Sequence, residues 1–362
     1  MNKSSQRVLV AMSGGVDSSV SAYLLKKQGY DVVGVSLHLW DYSQNQKNSQ
    51  SQEFDTCCSE EDRTDARLAA EMIDIPFYVM DYQKEFKENV VDPFVDSYLA
   101  GKTPNPCVAC NTFLKFDLLF QRAKRLNCDY IATGHYARIE KSAEGYQLLK
   151  GTDPLKDQSY FLYHLEQELL SQILFPVGHL TKEEVRKIAK EANLPNANKK
   201  ESMEICFVPQ NNYADFVEKQ GSQKLTPGKI VLPNGQVLAE HTGIHQFTVG
   251  QRKGLKISYP EPLYVIDINA NTGDVTVGEE KYLWKTGFFI EGLHWLGTPK
   301  VGEQLDVKIR YRSQSSPAII EERENKPFVR FEKPQKTVTP GQVAVFYKDT
   351  QILGGGFIES SV

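Results

Sequence analysis

The stretch RVLVAMSGGVDSSVSAYLLKKQG, residues 7–29, limits the fold more than any other part of the chain. A short apolar run passes through two glycines into a segment with helical spacing and a glycine stop. A strand that turns at once into a helix points to a crossover connection, and so to a parallel sheet. The alternation continues downstream. DVVGVSLHLW and IPFYVMD read as strands, and CDYIATGHYARI as another. SEEDRTDARLAAEMI reads as a helix with Ser59 as N-cap and acids in its first turn. KEFKENVVDPFVDSYLAG reads as mostly helix and KFDLLFQRAKRLN as helix. The expectation is an α/β domain over residues 1–208, with a doubly wound, mostly parallel sheet and helices on both faces. The Ser-, Gln- and Asn-rich segment Asp41 to Thr56 interrupts the pattern and reads as a mobile loop.

The texture changes after Pro209. NNYADFVEKQG reads as one short helix, followed by hairpin signals at Asn234-Gly235 and in INANTGDVTVG. From Trp284 onward there are only short strands with Gly and Pro punctuation. This predicts a small mixed central domain over 209–282 and a C-terminal β-barrel over 283–362.

Hydrophobic content of 40%, charged content of 24% and a net charge of −4 describe an ordinary globular chain, so any nucleic-acid site must be a local patch. No apolar run approaches the ~20 residues of a bilayer span. The first residues do not resemble a signal peptide, which makes the cytoplasm the expected compartment and a membrane partner unexpected. Six cysteines are too sparse for a secreted disulfide scaffold. Cys128, entering an apolar run, reads as core filler, and Cys57 and Cys58 carry no assigned role.

AMSGGVDSS, Ala11 to Ser19, carries the first chemistry. Gly14 and Gly15 can take positive φ, turning backbone N–H groups inward as an anion nest at a helix N-terminus. Ser13, Ser18 and Ser19 add hydroxyl donors. The Asp17 carboxylate would repel phosphate, and a bridging Mg²⁺ would reconcile the two. The Walker pattern G-x-x-x-x-G-K-[ST] is absent, so no lysine within the loop serves the phosphates. The loop resembles the PP-loop of N-type ATP pyrophosphatases, which attach AMP to a carbonyl oxygen and hold the leaving pyrophosphate. The resemblance implies ATP contacts at Ala11, Met12, Ser13, Gly14, Gly15, Val16, Asp17 and Ser18.

An adenylated carbonyl then needs a nucleophile. TPNPCVACN offers Cys107 and Cys110 in C-x-x-C spacing, which fits a zinc half-site, a redox pair, or a nucleophile with a helper. Cys206 lies in KKESMEICFV. Cys110 stands at the start of the FLKFDLLF helix, where a helix N-terminus favours thiolate, and Lys115 or Lys199-Lys200 can add positive potential. Zinc ranks last, because its fourth ligand would have to come from the adjacent pair Cys57-Cys58.

Nine blocks in order, AMSGGVDSSV, GKTPNPCVACNTFLKF, ATGHYARI, KDQSYFLY, FPVGHLTKEEVRKIA, ICFV, TVGQRKGL, RYRS and TPGQVAVFY, resemble the bacterial tRNA-specific 2-thiouridylases. The resemblance runs from residue 7 to 358. It implies ATP-dependent replacement of the 2-oxygen of the wobble uridine by sulfur in the tRNAs for Lys, Glu and Gln. Cys110, the cysteine directly before Asn, takes the nucleophile's role, and Cys206 carries the sulfur as a persulfide. A cysteine desulfurase or sulfur-relay protein is the implied donor. Many members have an acid where this chain has Cys107. The alternative is a [4Fe–4S] cluster on Cys107, Cys110 and Cys206 with one iron left open for sulfide.

The same resemblance makes Leu37 and Gly134 nucleotide contacts, Leu37 being read as just after the second strand. It makes Asn105, Pro106, His135, Lys156, Asp157, Gln158, Arg310, Tyr311 and Gln342 contacts to the tRNA anticodon loop. Read without it, Leu37 is core, His135 a satisfied polar residue, and LKDQSYF a solvated cap. Lys308, Arg310 and Arg312 alternate as a phosphate-tracking stripe would on a strand. Two rivals remain: a PP-loop amide ligase, which needs no reactive thiol, and a non-catalytic RNA-binding module.

Overall fold

The computed structural model describes residues 6–40, 59–200, 205–221, 225–300 and 302–362. The expected polar loop, Cys57 and Cys58 lie outside these residues. The chain forms two compact units, one from residues 1–90, 107–211 and 350–352, the other from 91–106, 212–349 and 353–362.

The strands of the first unit are β1 (Arg7–Ala11), β2 (Asp31–His38), β3 (Phe77–Asp81), β4 (Tyr130–Ala132), β5 (Ala137–Ser142), β6 (Gly145–Lys150) and β7 (Ile173–Leu174). Five of them make one sheet in the order β3-β2-β1-β4-β7, with every pairing parallel. Six consecutive residues of β2, Val32 to Leu37, are buried, the continuous apolar reading of a strand covered on both faces.

The helices are α1 (Val16–Lys27), α2 (Glu60–Ile73), α3 (Gln83–Phe86), α4 (Asp92–Leu99), α5 (Pro106–Ala109), α6 (Leu119–Arg125), α7 (Lys182–Glu191) and α8 (Tyr213–Gly221). π-helical segments at Lys87–Val91 and Cys110–Leu118 precede α4 and α6. α1, α2 and α7 share one core with Val8 and Val10 of β1. α2 turns Ala66, Ala69, Ala70 and Ile73 inward at helical spacing. Ser59 caps it, accepting from the Asp62 amide at 3.1 Å while Asp62 accepts from the Ser59 amide at 3.0 Å, a full capping box.

In the second unit, Phe94 and Tyr98 of α4 pack on Phe216 and Tyr213 of α8. The strands β8 (Gly228–Val231), β9 (Val237–His241), β10 (Tyr264–Ile268) and β11 (Val275–Gly278) form a sheet in the order β10-β11-β8-β9. Both hairpins turn through left-handed glycines, Gly235 and Gly273. Then β12 (Trp284–Trp295), β13 (Gln304–Lys308), β14 (Ser316–Arg323), β15 (Lys326–Lys336), β16 (Val343–Lys348) and β17 (Gln351–Ser361) follow one another as β12-β15-β14-β13-β16-β17. Pairing of β12 with β17 closes them into a six-stranded antiparallel barrel around Phe288, Val307, Val329 and Phe346. Among the described residues no helix is long and apolar enough to cross a membrane.

Four expectations change. CDYIATGHYARI is two strands, because the chain leaves the parallel sheet between Thr133 and Tyr136. Leu37 lies within β2, opposite Met80 of β3, because β2 runs one residue beyond it. Cys128 is half-buried rather than core. β13 ends at Lys308 and the next residues turn, with the Ser313 amide donating to the Arg310 carbonyl at 3.1 Å. Arg310 and Arg312 are therefore not a strand stripe.

Candidate active site

β1 delivers the chain to the phosphate loop and α1 carries it away. Gly14 takes φ +78°, and a Cβ there would stand 2.1 Å from the backbone oxygen of Asp62. Only glycine fits, because the N-terminal turn of α2 lies directly over it. Gly15 departs from expectation. It is the N-cap of α1 with φ −79° and ψ 156°, the extended geometry a cap requires. The hydroxyls also turn inward: Ser18 and Ser19 donate to the Gly15 carbonyl at 3.0 and 3.3 Å, and the Ser13 amide donates to Ser18 Oγ at 3.2 Å. They stiffen the loop from within rather than offering free donors.

Asp17 is met by protein. Lys182 Nζ, at the first position of α7, lies 2.8 Å from each carboxylate oxygen, and the Tyr136 hydroxyl donates to Oδ1 at 2.7 Å. The Lys182 ammonium also sits 5.7 Å from the Tyr136 ring centre. Lys182 is 9% exposed, so its charge stays buried only because it is paired. The repulsion that suggested a bridging Mg²⁺ is thus answered by a buried lysine outside the loop motif, which sequence reading missed.

Tyr136 is itself held. Its amide donates to Gln158 Oε1 at 3.0 Å, and its carbonyl accepts from the Gln158 amide at 2.9 Å. Asp157 is buried and accepts from the Gly151 and Ser159 amides at 3.0 and 3.1 Å. The KDQSY segment, read as a cap or a tRNA contact, therefore braces the residue that orients Asp17. Gly134 is squeezed against α1, where a Cβ would lie 2.6 Å from the Ser18 amide nitrogen.

Two more residues close the loop from the α7 side. The buried Asn196 donates to the Gly14 carbonyl at 2.9 Å and to Ser19 Oγ at 2.8 Å. Lys199 bonds Asp62 at 2.6 Å and also bonds Asp65, both on α2. Burial works against its charge, but the two carboxylates outweigh this and raise its pKa. Lys199 is therefore committed to α2 rather than to a thiol. Neither residue announces itself by local spacing.

The thiols lie in the same unit. Pro106 opens the helical stretch, as proline favours the first helical position, so Cys107 lies in its first turn and Cys110 begins the π-helical segment. The dipole argument made for Cys110 thus applies better to Cys107. Cys107 is exposed, whereas Cys110 and Cys206 are half-buried. Phe207, directly after Cys206, is buried against Phe86 and Trp40, ring centres 5.5 and 6.3 Å away. Among the described residues no three His, Cys, Asp or Glu side chains gather as metal ligands. The arrangement does not fit a cluster on Cys107, Cys110 and Cys206.

His135 is buried, stacked on Phe116 and edge-on to Phe175, with Nδ1 2.7 Å from Thr133 Oγ1. Burial, with Lys115 nearby, pushes its pKa well below the usual imidazole value, so it is neutral. In the second unit, Gln342 Nε2 donates to the carbonyls of Thr103 and Pro104, both at 3.2 Å, and the Thr103 amide donates to the Pro340 carbonyl. Gly341, at φ +87°, lets the backbones meet: a Cβ would stand 2.9 Å from Thr103. The TPGQ turn thereby sets the TPNP segment that precedes the C-x-x-C pair. Arg310 donates weakly to the Lys336 carbonyl at 3.4 Å. Tyr311 lies beneath Lys308 Nζ, 5.7 Å from the ring centre.

A parallel α/β sheet with a glycine phosphate loop after its first strand, followed by two β-rich modules, defines a PP-loop type of nucleotide-using enzyme. Family models agree in order: "tRNA methyl transferase HUP domain" over residues 6–210, "tRNA methyl transferase PRC-barrel domain" over 214–279, and "Aminomethyltransferase beta-barrel domain" over 285–358. The tRNA-specific 2-thiouridylase MnmA of Geotalea uraniireducens is 49% identical, covering 100% of this chain and 97% of its own. Its namesake in Geobacter metallireducens is 47% identical over 99% and 98%, and that of Clostridium perfringens strain 13 is 47% identical over 98% and 99%. The chain belongs to the tRNA-specific 2-thiouridylase family.

Proposed function

We propose that this protein is an ATP-dependent tRNA-uridine 2-sulfurtransferase acting on the wobble uridine of tRNAs for Lys, Glu and Gln. What supports the reading most is full-length likeness to enzymes of that name, in a chain that carries the phosphate loop, Cys110 and Cys206 in one unit. ATP, taken as its Mg²⁺ complex, is a substrate. The uridine 2-oxygen attacks the α-phosphorus, the bond to the β-phosphate bridge breaks, and pyrophosphate leaves on the loop from Met12 to Ser18. Ala11, Leu37 and Gly134 line the nucleotide. Lys182 supplies positive charge that the loop motif lacks.

Cys206 is the persulfide carrier. Its terminal sulfur attacks carbon 2 and AMP departs with the former 2-oxygen. The Cys110 thiolate then attacks Cys206 Sγ, breaking the S–S bond. The sulfane sulfur stays on the base as the thiocarbonyl, and the two cysteines become a disulfide that a cellular thiol reduces. A cysteine desulfurase or relay protein reloads Cys206. Cys107 is accessory to Cys110. Three domains, 1–208, 209–282 and 283–362, divide the work. The last two bind tRNA, with Arg310, Tyr311 and Gln342 at the RNA, and the first contributes contacts from Asn105, Pro106, His135, Lys156, Asp157 and Gln158.

The test is sulfur incorporation into unmodified tRNA with ATP and a sulfane-sulfur source, a cysteine desulfurase supplied with cysteine. Wild type should thiolate, whereas Cys110→Ser and Cys206→Ser should fall at least a hundredfold while still binding ATP. Thiolation by both variants at the wild-type rate would sink the mechanism.

A further inference from the structure

The loop Val249 to Ile257 carries one of the sequence blocks, TVGQRKGL, to which no role has yet been attached. Its backbone is tightly specified. Gly250, Gly254 and Lys256 all take left-handed φ values of +92°, +80° and +54°. Gln251 ties the turn together: its Oε1 accepts from the Thr248 amide at 2.9 Å and its Nε2 donates to the Lys253 carbonyl at 3.0 Å. Leu255 is buried in the core of the four-stranded sheet module, and Val249 and Ile257 pack on the same core. The loop is therefore anchored at both ends and crossed in the middle.

Three cations, Arg252, Lys253 and Lys256, are exposed on this frame. Elsewhere in the same unit many cations are met by acids, among them Lys102 by Glu291, Lys281 by Glu279, Lys326 by Glu359, Arg330 by Glu321 and Lys336 by Glu280, while Lys229, Lys285 and Lys333 have no such pair among the described residues. Arg252, Lys253 and Lys256 enter no ion pair with an acid among the described residues. Three like charges within five residues repel one another, and a left-handed lysine is uncommon. A rigid loop that bears these costs without acidic partners is shaped for a polyanion.

We propose that Arg252, Lys253 and Lys256 form a phosphate-binding clamp for the tRNA backbone, with Gln251 as its positioning residue. The proposal rests on the tRNA reading above. Backbone contact by exposed cations affects affinity and register and carries no base preference.

The experiment is binding of unmodified tRNA to the full chain by fluorescence anisotropy across a salt series, with ATP binding measured in parallel. The triple variant Arg252→Gln, Lys253→Gln, Lys256→Gln should bind tRNA at least tenfold more weakly. The slope of log affinity against log salt should flatten by about 2 to 3, one counterion per lost contact. ATP affinity should stay within twofold. Gln251→Ala keeps every charge but frees the loop, and should weaken tRNA binding while its salt slope stays closer to wild type. An unchanged affinity and slope in the triple variant, with wild type binding tRNA, overturns the clamp and leaves the sulfurtransferase reading standing. Loss of turnover only with a protein sulfur donor, at unchanged tRNA affinity, overturns it in favour of a protein partner. Wild type that fails to bind tRNA overturns both.

Discussion

Asp17 and Lys182 show how much one half-buried pair decides. Each carboxylate oxygen of Asp17 has Lys182 Nζ at 2.8 Å, and removing one partner strands the other charge. Lys182→Met should lower folding stability by about 3 kcal/mol in urea denaturation. Adding Asp17→Asn should recover most of that loss. Binding separates the pair's structural part from its electrostatic one: Lys182→Met should weaken ATP far more than AMP. Equal weakening of both nucleotides would mean that Lys182 only holds the loop's shape.

His135 makes a pH prediction. It is neutral in the fold because burial depresses its pKa, whereas the unfolded chain protonates near 6.5. The unfolded state therefore binds more protons below that pH, and stability falls as pH drops from about 6.5 toward the folded pKa. The slope from this group alone is up to about 1.4 kcal/mol per pH unit. Urea midpoints between pH 7.5 and 5 should show this in wild type and less of it in His135→Phe, since Phe tolerates the same aromatic neighbours. An identical pH slope in the variant would remove His135 as the cause.

At the scale of elements, α2 is both a structural helix and the cover of the phosphate loop, because Gly14 lies under the Asp62 backbone. Ser59→Ala removes a capping box and should cost about 1 kcal/mol. It should also weaken ATP binding, though residue 59 lies far from the loop in sequence. Unchanged ATP affinity alongside the lost stability would show that the loop tolerates fraying of its cover.

The elements themselves were legible. Apolar runs, Ser59 with its following acids, and the Asn-Gly turn are local signals, and most appear where local chemistry put them, CDYIATGHYARI being the run that breaks into two strands. What stayed hidden was non-local. The Tyr136 and Lys182 partners of Asp17 stand 119 and 165 residues away, and no spacing rule connects them. Gly15 was misread for a different reason: a glycine serves a left-handed turn and an extended N-cap alike, and composition does not separate them. The helix around the thiols also starts earlier than its apolar pattern implied, at Pro106 rather than at Cys110.

At the scale of the molecule, residues 91–106 cluster with the second unit and not with the α/β unit that flanks them. The buried face of α4, Phe94, Val95 and Tyr98, is covered from α8, and Gly101 lies against Ile268. A fragment ending at residue 210 should therefore expose that face, bind a hydrophobic dye and aggregate. A soluble, monomeric fragment with full ATP affinity would show that α4 folds without its partners.

The clasp of Gln342 on Thr103 and Pro104 has a consequence in time. A ribosome makes the chain from its N-terminus, and the TPNP segment emerges more than two hundred residues before the glutamine that pins it. β12 must likewise wait for β17 before the barrel closes. For most of synthesis the C-x-x-C pair Cys107 and Cys110 therefore follows an unpinned segment. The finished turn forms only when the last strands leave the exit tunnel, so a stalled or truncated chain carries the TPNP segment without the glutamine that holds it.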